Sequence, residues 1–250
     1  MIFICERTLS EKDLLEKALG GSRHILHSLR PGFQEEHLSS QKLEAAPQLF
    51  FEKPLSFVAP LAPQAPQTFS FSQDLTSSLK KAETLKQLEK QMVKAGCRTS
   101  LIEDALTCAD EMILNAFFHA PVDANGRSTF KNFPRSEEVK TSEGKSVHFE
   151  ASMQDSLLFL GCRDDFGSLK LSPVLEHLLT MYQSQGLPMT TPGTMGAGLG
   201  LKMILDRSSS FWIYVQPGVH TWVYGSFETK PEKPESKKMK TLHFFEGAMS

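Results

Sequence analysis

Apolar residues in this chain follow two spacings, steps of three to four and steps of two, and the stretches where each holds mark out helices and strands. The longest run at the wider spacing contains Leu101, Ile102, Ala105, Ala109, Met112, Ile113 and Ala116, the rhythm of a helix with one buried face that begins near Thr99. At about 100° per residue, Glu111, Asn115 and His119 form a second stripe turned away from that face. Stacked at i, i+4 and i+8, they can address one shared object, although an ordinary solvated helix face carries the same residue types. A strand is predicted over 68–71, then a helix over 74–95 that stops at Gly96. Strands over 146–152 and 156–163 and a helix over 173–184 come next. Gly196-Ala197-Gly198-Leu199-Gly200-Leu201 opens another helix, carried on by Met203, Ile204 and Leu205. The apolar run 211–215, a Pro217-Gly218 turn and the run 220–227 form a hairpin.

The remaining pieces are less periodic. Residues 1–46 predict a small strand-helix-strand unit: 2–5 extended, 10–19 helical with Ser10 as its cap and Gly20-Gly21 as its stop, and 24–29 extended. Five prolines between Pro47 and Pro66 make 47–66 a linker or an extended strap, and Phe50, Phe51, Leu55, Phe57 and Val58 make it apolar enough to lie partly against a surface. Residues 121–145 are a polar insertion with Asn125-Gly126, Pro134 and Gly144, expected to be a mobile loop or extended hairpin. The stretch 186–195 has the composition of a flexible lid. After Glu228 the five lysines and two prolines suggest disorder, with Leu242, Phe244 and Phe245 as anchors for the end.

Composition narrows the functional classes. A hydrophobic fraction of 40% over 250 residues allows a substantial core, and a net charge of −2 provides no basic field for nucleic acid. The four cysteines, Cys5, Cys97, Cys108 and Cys162, are scattered without a paired spacing, which predicts reduced thiols and a cytoplasmic setting over a disulfide or zinc framework. The apolar start 2–5 ends at Glu6-Arg7, too short for a signal-peptide core, and no stretch reaches the roughly 18 apolar residues of a spanning helix.

The polar stripe gains meaning from two later segments. A carboxylate that takes a proton, one helical turn from an amide oxygen that binds a hard cation, suits a metal-nucleotide site. The strand over 157–163 runs into Asp164-Asp165-Phe166-Gly167, where a carboxylate can accept a hydrogen bond from an exocyclic amine and the glycine lets a flat ring approach the backbone. The glycines at 196, 198 and 200 open a helix whose amides can turn toward phosphate oxygens. A dinucleotide fingerprint fits that box poorly, because its last glycine falls one residue later.

In order, Glu-x-x-x-Asn on a helix, Asp-x-Gly after a strand and Gly-x-Gly-Leu-Gly-Leu opening a helix resemble the three boxes of the GHKL ATP-binding superfamily of gyrase, heat-shock chaperones, histidine kinases and MutL. The closing hairpin adds to the likeness, with Thr221 at a position where that family often has a lid-side threonine. The extra helix before the Asn-bearing one resembles the anti-sigma-factor serine/threonine kinases most. The resemblance implies an α+β two-layer sandwich, a mixed and mostly antiparallel sheet covered on one face by helices, over 67–228. Residues 1–46 would be a small N-terminal α/β appendage, 47–66 a linker and 229–250 a lysine-rich tail. It implies ATP and Mg2+ as ligands, with Asn115 on the metal, Asp165 on the adenine amine, and Gly167 letting the ring approach. Gly196, Gly198, Leu199, Gly200, Leu201 and Thr221 would complete the nucleotide contacts. Glu111 would be the general base for transfer of the γ-phosphate to a protein hydroxyl. Implied partners are a sigma factor or an anti-sigma antagonist, and a second copy of the chain.

Two departures qualify the implied chemistry. Leu169 stands where the second box usually has another glycine, and Thr194 and Met195 stand where a basic residue often meets the terminal phosphate. A degenerate, non-catalytic module with weak or no nucleotide binding therefore remains the second reading. A soluble histidine kinase, with His27 as phosphoacceptor, is the third.

Overall fold

The computed structural model describes residues 2–5, 9–27, 41, 67–154, 157–183, 197–229 and 241–247. The linker 47–66, the lid stretch 186–195 and Gly196 lie outside them. The protein is α+β, with a mixed sheet of eight strands: β1 (Ile2–Cys5), β2 (His24–His27), β3 (Gln67–Leu75), β4 (Val147–Gln154), β5 (Leu157–Asp164), β6 (Ser210–Gln216), β7 (His220–Glu228) and β8 (Thr241–Glu246). Their order across the sheet is β1-β2-β8-β6-β7-β5-β4-β3. The β1–β2 and β6–β8 pairs are parallel and the other neighbours antiparallel. The described α-helices are α1 (Glu11–Leu19), α2 (Lys81–Lys94), α3 (Thr99–Phe118), α4 (Leu171–Gln183) and α5 (Ala197–Arg207). No helix among the described residues is long and apolar enough to cross a membrane.

One face of the sheet is built by alternation. Phe149, Cys162, Val223, Ile213 and Phe244 lie side by side across β4, β5, β7, β6 and β8. Together with Leu158, Leu160 and Phe211 they join one buried cluster with Leu14 and Leu15 of α1, Ala105, Ala109, Met112 and Ile113 of α3, Leu175 of α4 and Ile204 of α5. α3 is the central helix because its predicted apolar face is wholly buried there. On the opposite face, Trp212 stacks on His243 with ring centroids 3.6 Å apart and Tyr214 on Phe245 at 4.7 Å, all of them buried.

Local chemistry explains the ends of the elements. Ser10 and Asp13 form a reciprocal capping box on α1, Ser10 Oγ accepting from Asp13 N–H at 3.2 Å and Asp13 Oδ2 from Ser10 N–H at 3.0 Å. The Ser10 hydroxyl, donating to Asp13 Oδ2 at 2.6 Å, and then the Ser10 N–H hold the Asp13 carboxyl below its usual range. The predicted helix over 74–95 starts later than expected, since β3 runs on to Leu75 and a 3-10 turn, Ser78–Lys80, precedes α2. Pairing with β4 takes Asp74 and Leu75 into the ladder, and Asp74 also meets His148 Nδ1 at 2.7 Å.

The expected disorder after Glu228 does not extend to its end, because residues 241–246 are a strand between β2 and β6. Leu242 and Phe244 face the helices and His243 and Phe245 the other side, a period of two that the surrounding lysines and prolines obscure. The N-terminal strands β1 and β2 belong to the same sheet as the rest, joined to it through β8.

Candidate functional site

The second stripe of α3 is the backbone of the site. Leu101, Ala105, Met112 and Ala116 fix which way the helix faces, so Glu111, Asn115 and His119 line the side left over, toward α5 and the 121–145 segment. A methyl group added at Gly200, in the first turn of α5, would sit 2.3 Å from Glu111 Oε2 and 3.3 Å from Asn115 Nδ2. The glycine leaves room for the Glu111 carboxylate to lie directly against the first turn of α5. Both polar atoms of the Asn115 amide are buried without a hydrogen-bond partner among the described residues. A buried amide left unpaired costs about 1–3 kcal/mol, so an arrangement of this kind is economical only when something else completes it.

The loop after β5 closes the other end of the stripe. Ser168 Oγ donates to the carbonyl of Ala120, at the end of α3, over 2.6 Å. Asp164 continues the helix-facing parity of Leu158, Leu160 and Cys162, pairs with Thr221 in β7 and is 6% exposed. Its Oδ1 accepts from the N–H groups of Phe166 (2.9 Å) and Gly167 (3.2 Å). Burial pushes its carboxyl up to about 7, against the pull of those two hydrogen bonds and of the nearby Thr221 hydroxyl. The buried Thr221 Oγ1 has no well-aligned partner among the described residues.

Asp165 is placed differently from the role the resemblance implied. Its Oδ2 accepts from Ser146 N–H at 2.9 Å and Ser146 Oγ at 3.0 Å, while Oδ1 lies 3.3 Å from Arg163 Nε and 3.0 Å from His220 Nδ1. Arg163 and His220 sit on the sheet face opposite the helices, so this carboxylate turns away from the Asn115 side. Gly167, with φ +57°, earns its place through packing: a Cβ there would meet the carbonyl oxygen of Gln216 at 2.3 Å and the amide of Val219 at 2.5 Å. The space beside it holds the β6–β7 turn, and its carbonyl accepts from Gly218 N–H at 3.0 Å.

Of the glycine-rich box, Gly198, Leu199, Gly200 and Leu201 fall in the first turns of α5, with Leu199 exposed and Leu201 buried. The structure therefore brings Glu111, Asn115 and Gly200 together and places Asp164 and Thr221 at the end of the adjoining strands.

Sequence reasoning missed Arg135. Its Nη1 lies 3.5 Å from Glu111 Oε1. The segment that carries it is pinned to the domain: Val139 N–H donates to Ser78 Oγ (2.9 Å), Ser78 N–H to Val139 O (2.9 Å), Ser128 Oγ to Phe118 O (3.0 Å) and Ser77 Oγ to Glu138 Oε1 (2.8 Å). His119 feels the same cations, its pKa lowered to about 4 by burial and then by Arg135 and Lys131.

A cavity of about 270 Å3 lies elsewhere, between the start of α3 and the end of α5. Its rim mixes signs, with Arg207 Nε 3.2 Å from Asp104 Oδ1, so it offers no charge preference to a ligand. Neither protein-family models nor curated proteins yield a match to this chain.

Proposed function

We propose that this protein is an ATP-binding regulator of the GHKL type, a histidine-kinase-like ATPase fold working in the manner of an anti-sigma-factor serine/threonine kinase. The observation that carries the reading is the junction of α3 and α5: Gly200 packed directly against the Glu111 carboxylate and beside Asn115, and an Asn115 amide whose two polar atoms are buried and unmatched among the described residues. From Glu111 to His119 the stripe runs about 12 Å at 1.5 Å per residue, comparable to the separation of a purine ring and its terminal phosphate.

The residues divide the work by their placement. Asp164, not Asp165, accepts the adenine amine, since it alone of the two faces the helices, and Thr221 lies beside it. Gly198 and Gly200 present α5's first turn to the phosphates. Asn115 Oδ1 fits a hard cation, and Glu111 is its nearest carboxylate along the stripe. No cluster of three or more His, Cys, Asp or Glu that could hold a metal exists among the described residues, so a Mg2+ here depends on the phosphates for most of its ligands. When bound, the ion neutralises phosphate charge. In transfer, a protein hydroxyl oxygen bonds to the γ-phosphorus as the bond to the bridging oxygen breaks and ADP leaves, and Glu111 takes the hydroxyl proton. The partner class is a cytoplasmic sigma factor or its antagonist, with a second copy of this chain as companion.

One observation favours a second reading, a binding module without transfer. Leu169, at the expected second glycine of the Asp box, packs against the core and cannot hinge as a glycine does. The histidine-kinase reading gains nothing from the fold, as His27 lies in β2 and not on a helix.

The test is a thermal shift with Mg2+-ATP. A ligand at 100 times its Kd stabilises by about 2.7 kcal/mol, a rise of roughly 5–10 °C for a chain of this size. Asn115→Ala should abolish the rise. Glu111→Ala should keep it and stop ADP production, and loss of both together would contradict the separate roles. A rise without ADP production in the unaltered protein, when it is supplied with the hydroxyl-bearing partner it captures from its native host, selects the second reading.

A further inference from the structure

We propose that Arg135, carried by the 121–145 segment, is the cation that meets the terminal phosphate of the bound triphosphate, and that it changes partner to do so, leaving Glu111 for the phosphate. The inference rests on the nucleotide reading above and deepens it.

Charge is the first argument. Transfer chemistry needs positive charge at the terminal phosphate, and Thr194 and Met195, where the resemblance leads one to expect it, supply none. Two other cations near this end of the helices are already committed: Lys202 to Asp206 at 2.5 Å, with Tyr182 under its ammonium at 4.4 Å, and Lys81 to Asp110. Among the described residues, Arg135 and Lys131 remain, both on the insertion and both close enough to depress the basicity of His119.

Position is the second. Glu111 Oε1 is 3.5 Å from Arg135 Nη1, while Oε2 of the same carboxylate abuts Gly200. A single carboxylate therefore separates the guanidinium from the backbone of α5's first turn. An anion bound at that turn would lie within reach of Arg135 after a small rotation of one long side chain.

Availability is the third. The Arg135 side chain is 42% exposed and its ion pair with Glu111, the one shown among the described residues, is long, using one of five N–H donors, whereas a phosphate offers the planar fork two or three acceptors. The carrier segment is held on both sides of Arg135, by Ser128 at the end of α3 and by Glu138 and Val139 at the 3-10 turn, so the side chain is delivered by an anchored strap. The exchange has a further effect. While Arg135 lies against it, Oε1 of Glu111 is covered by a guanidinium, and arrival of the triphosphate uncovers it, so the base is exposed only when there is a phosphoryl group to transfer.

The experiment compares affinities for Mg2+-ATP and Mg2+-ADP by calorimetry in the unaltered protein, Arg135→Ala, Arg135→Lys and Lys131→Ala, with melting temperatures to confirm folding. Arg135→Ala should weaken ATP roughly tenfold or more, the worth of a charge-assisted hydrogen bond, and ADP less than threefold. Arg135→Lys should recover part of the difference. Equal effects on ATP and ADP, or no effect on either, would overturn the assignment while leaving the nucleotide site standing. An unaltered protein that binds neither nucleotide would overturn both.

Discussion

Replacing Gly200 with alanine should separate stability from activity. Inside a helix, glycine is about 0.5–1 kcal/mol less favourable than alanine, so on backbone grounds the change is stabilising. The new methyl would arrive 2.3 Å from Glu111 Oε2 and 3.1 Å from its Cδ. A relaxed contact needs more than 3 Å, so the carboxylate must retreat by about 1 Å. It is the far end of a flexible side chain, and turning it off its rotamer costs about 0.5–1.5 kcal/mol. The two terms nearly cancel, and the melting temperature should stay within about 4 °C of the parent. Activity does not share that tolerance, because a 1 Å misplacement of a reacting group can cost about 100-fold. Circular dichroism melting and ADP production on the same sample make the comparison. Full ADP production in Gly200→Ala would refute the placement of Glu111 at the reacting end. A collapse in melting temperature would refute the view that the glycine serves close approach alone.

Two further outcomes concern the sheet. The Asp164 carboxyl is pushed from 3.8 to about 7, so the folded state holds its proton more tightly, and the cost of ionising it in place sets in as pH rises from about 4 to 7. Asp164→Asn should thus match the parent in stability below pH 4, exceed it by a few kcal/mol, to order of magnitude, above pH 7, and bind ATP more weakly; a difference in denaturation free energy that does not vary with pH would sink the account. Gly161→Ala places a methyl 1.8 Å from Cε1 of Tyr224, whose ring is 1% exposed and whose hydroxyl donates to Glu150. It should lower the urea midpoint by the equivalent of roughly 3 kcal/mol or more, with partial recovery in the double variant with Tyr224→Leu, and a wild-type midpoint would show the ring can move aside.

The helices were legible where one face is apolar and the other polar. In α3 that contrast both located the helix and isolated Glu111, Asn115 and His119 as a stripe. The choice between Asp164 and Asp165 was not legible for the opposite reason. β5 is buried on both sides, Leu157 and Phe159 as fully as Leu158 and Leu160, so no alternation tells which neighbouring carboxylate faces the helices. The hydrogen bonds of Ser146 and the approach of His220 decide it, and both come from distant parts of the chain. Arg135 was invisible for a related reason. It sits in a segment without periodicity, and only the anchors at Ser78 and Phe118 bring it over Glu111. β8 has the alternation of a strand but only six residues of it, and its identity depends on the slot between β2 and β6 that it fills.

That slot has a consequence for how the molecule comes into being. His24 and His243 touch across β2 and β8 although 219 positions separate them, and no other described strand joins β1 and β2 to the remainder. During synthesis at about 5–20 residues per second, β2 leaves the ribosome roughly ten seconds or more before β8, its neighbour in the sheet. Throughout that interval β2 presents an unsatisfied hydrogen-bonding border. A nascent chain stalled or cleaved before Thr241 would retain the helix pair that carries Glu111 and Gly200, while its opening strands, held through α1 against α4, kept that border open.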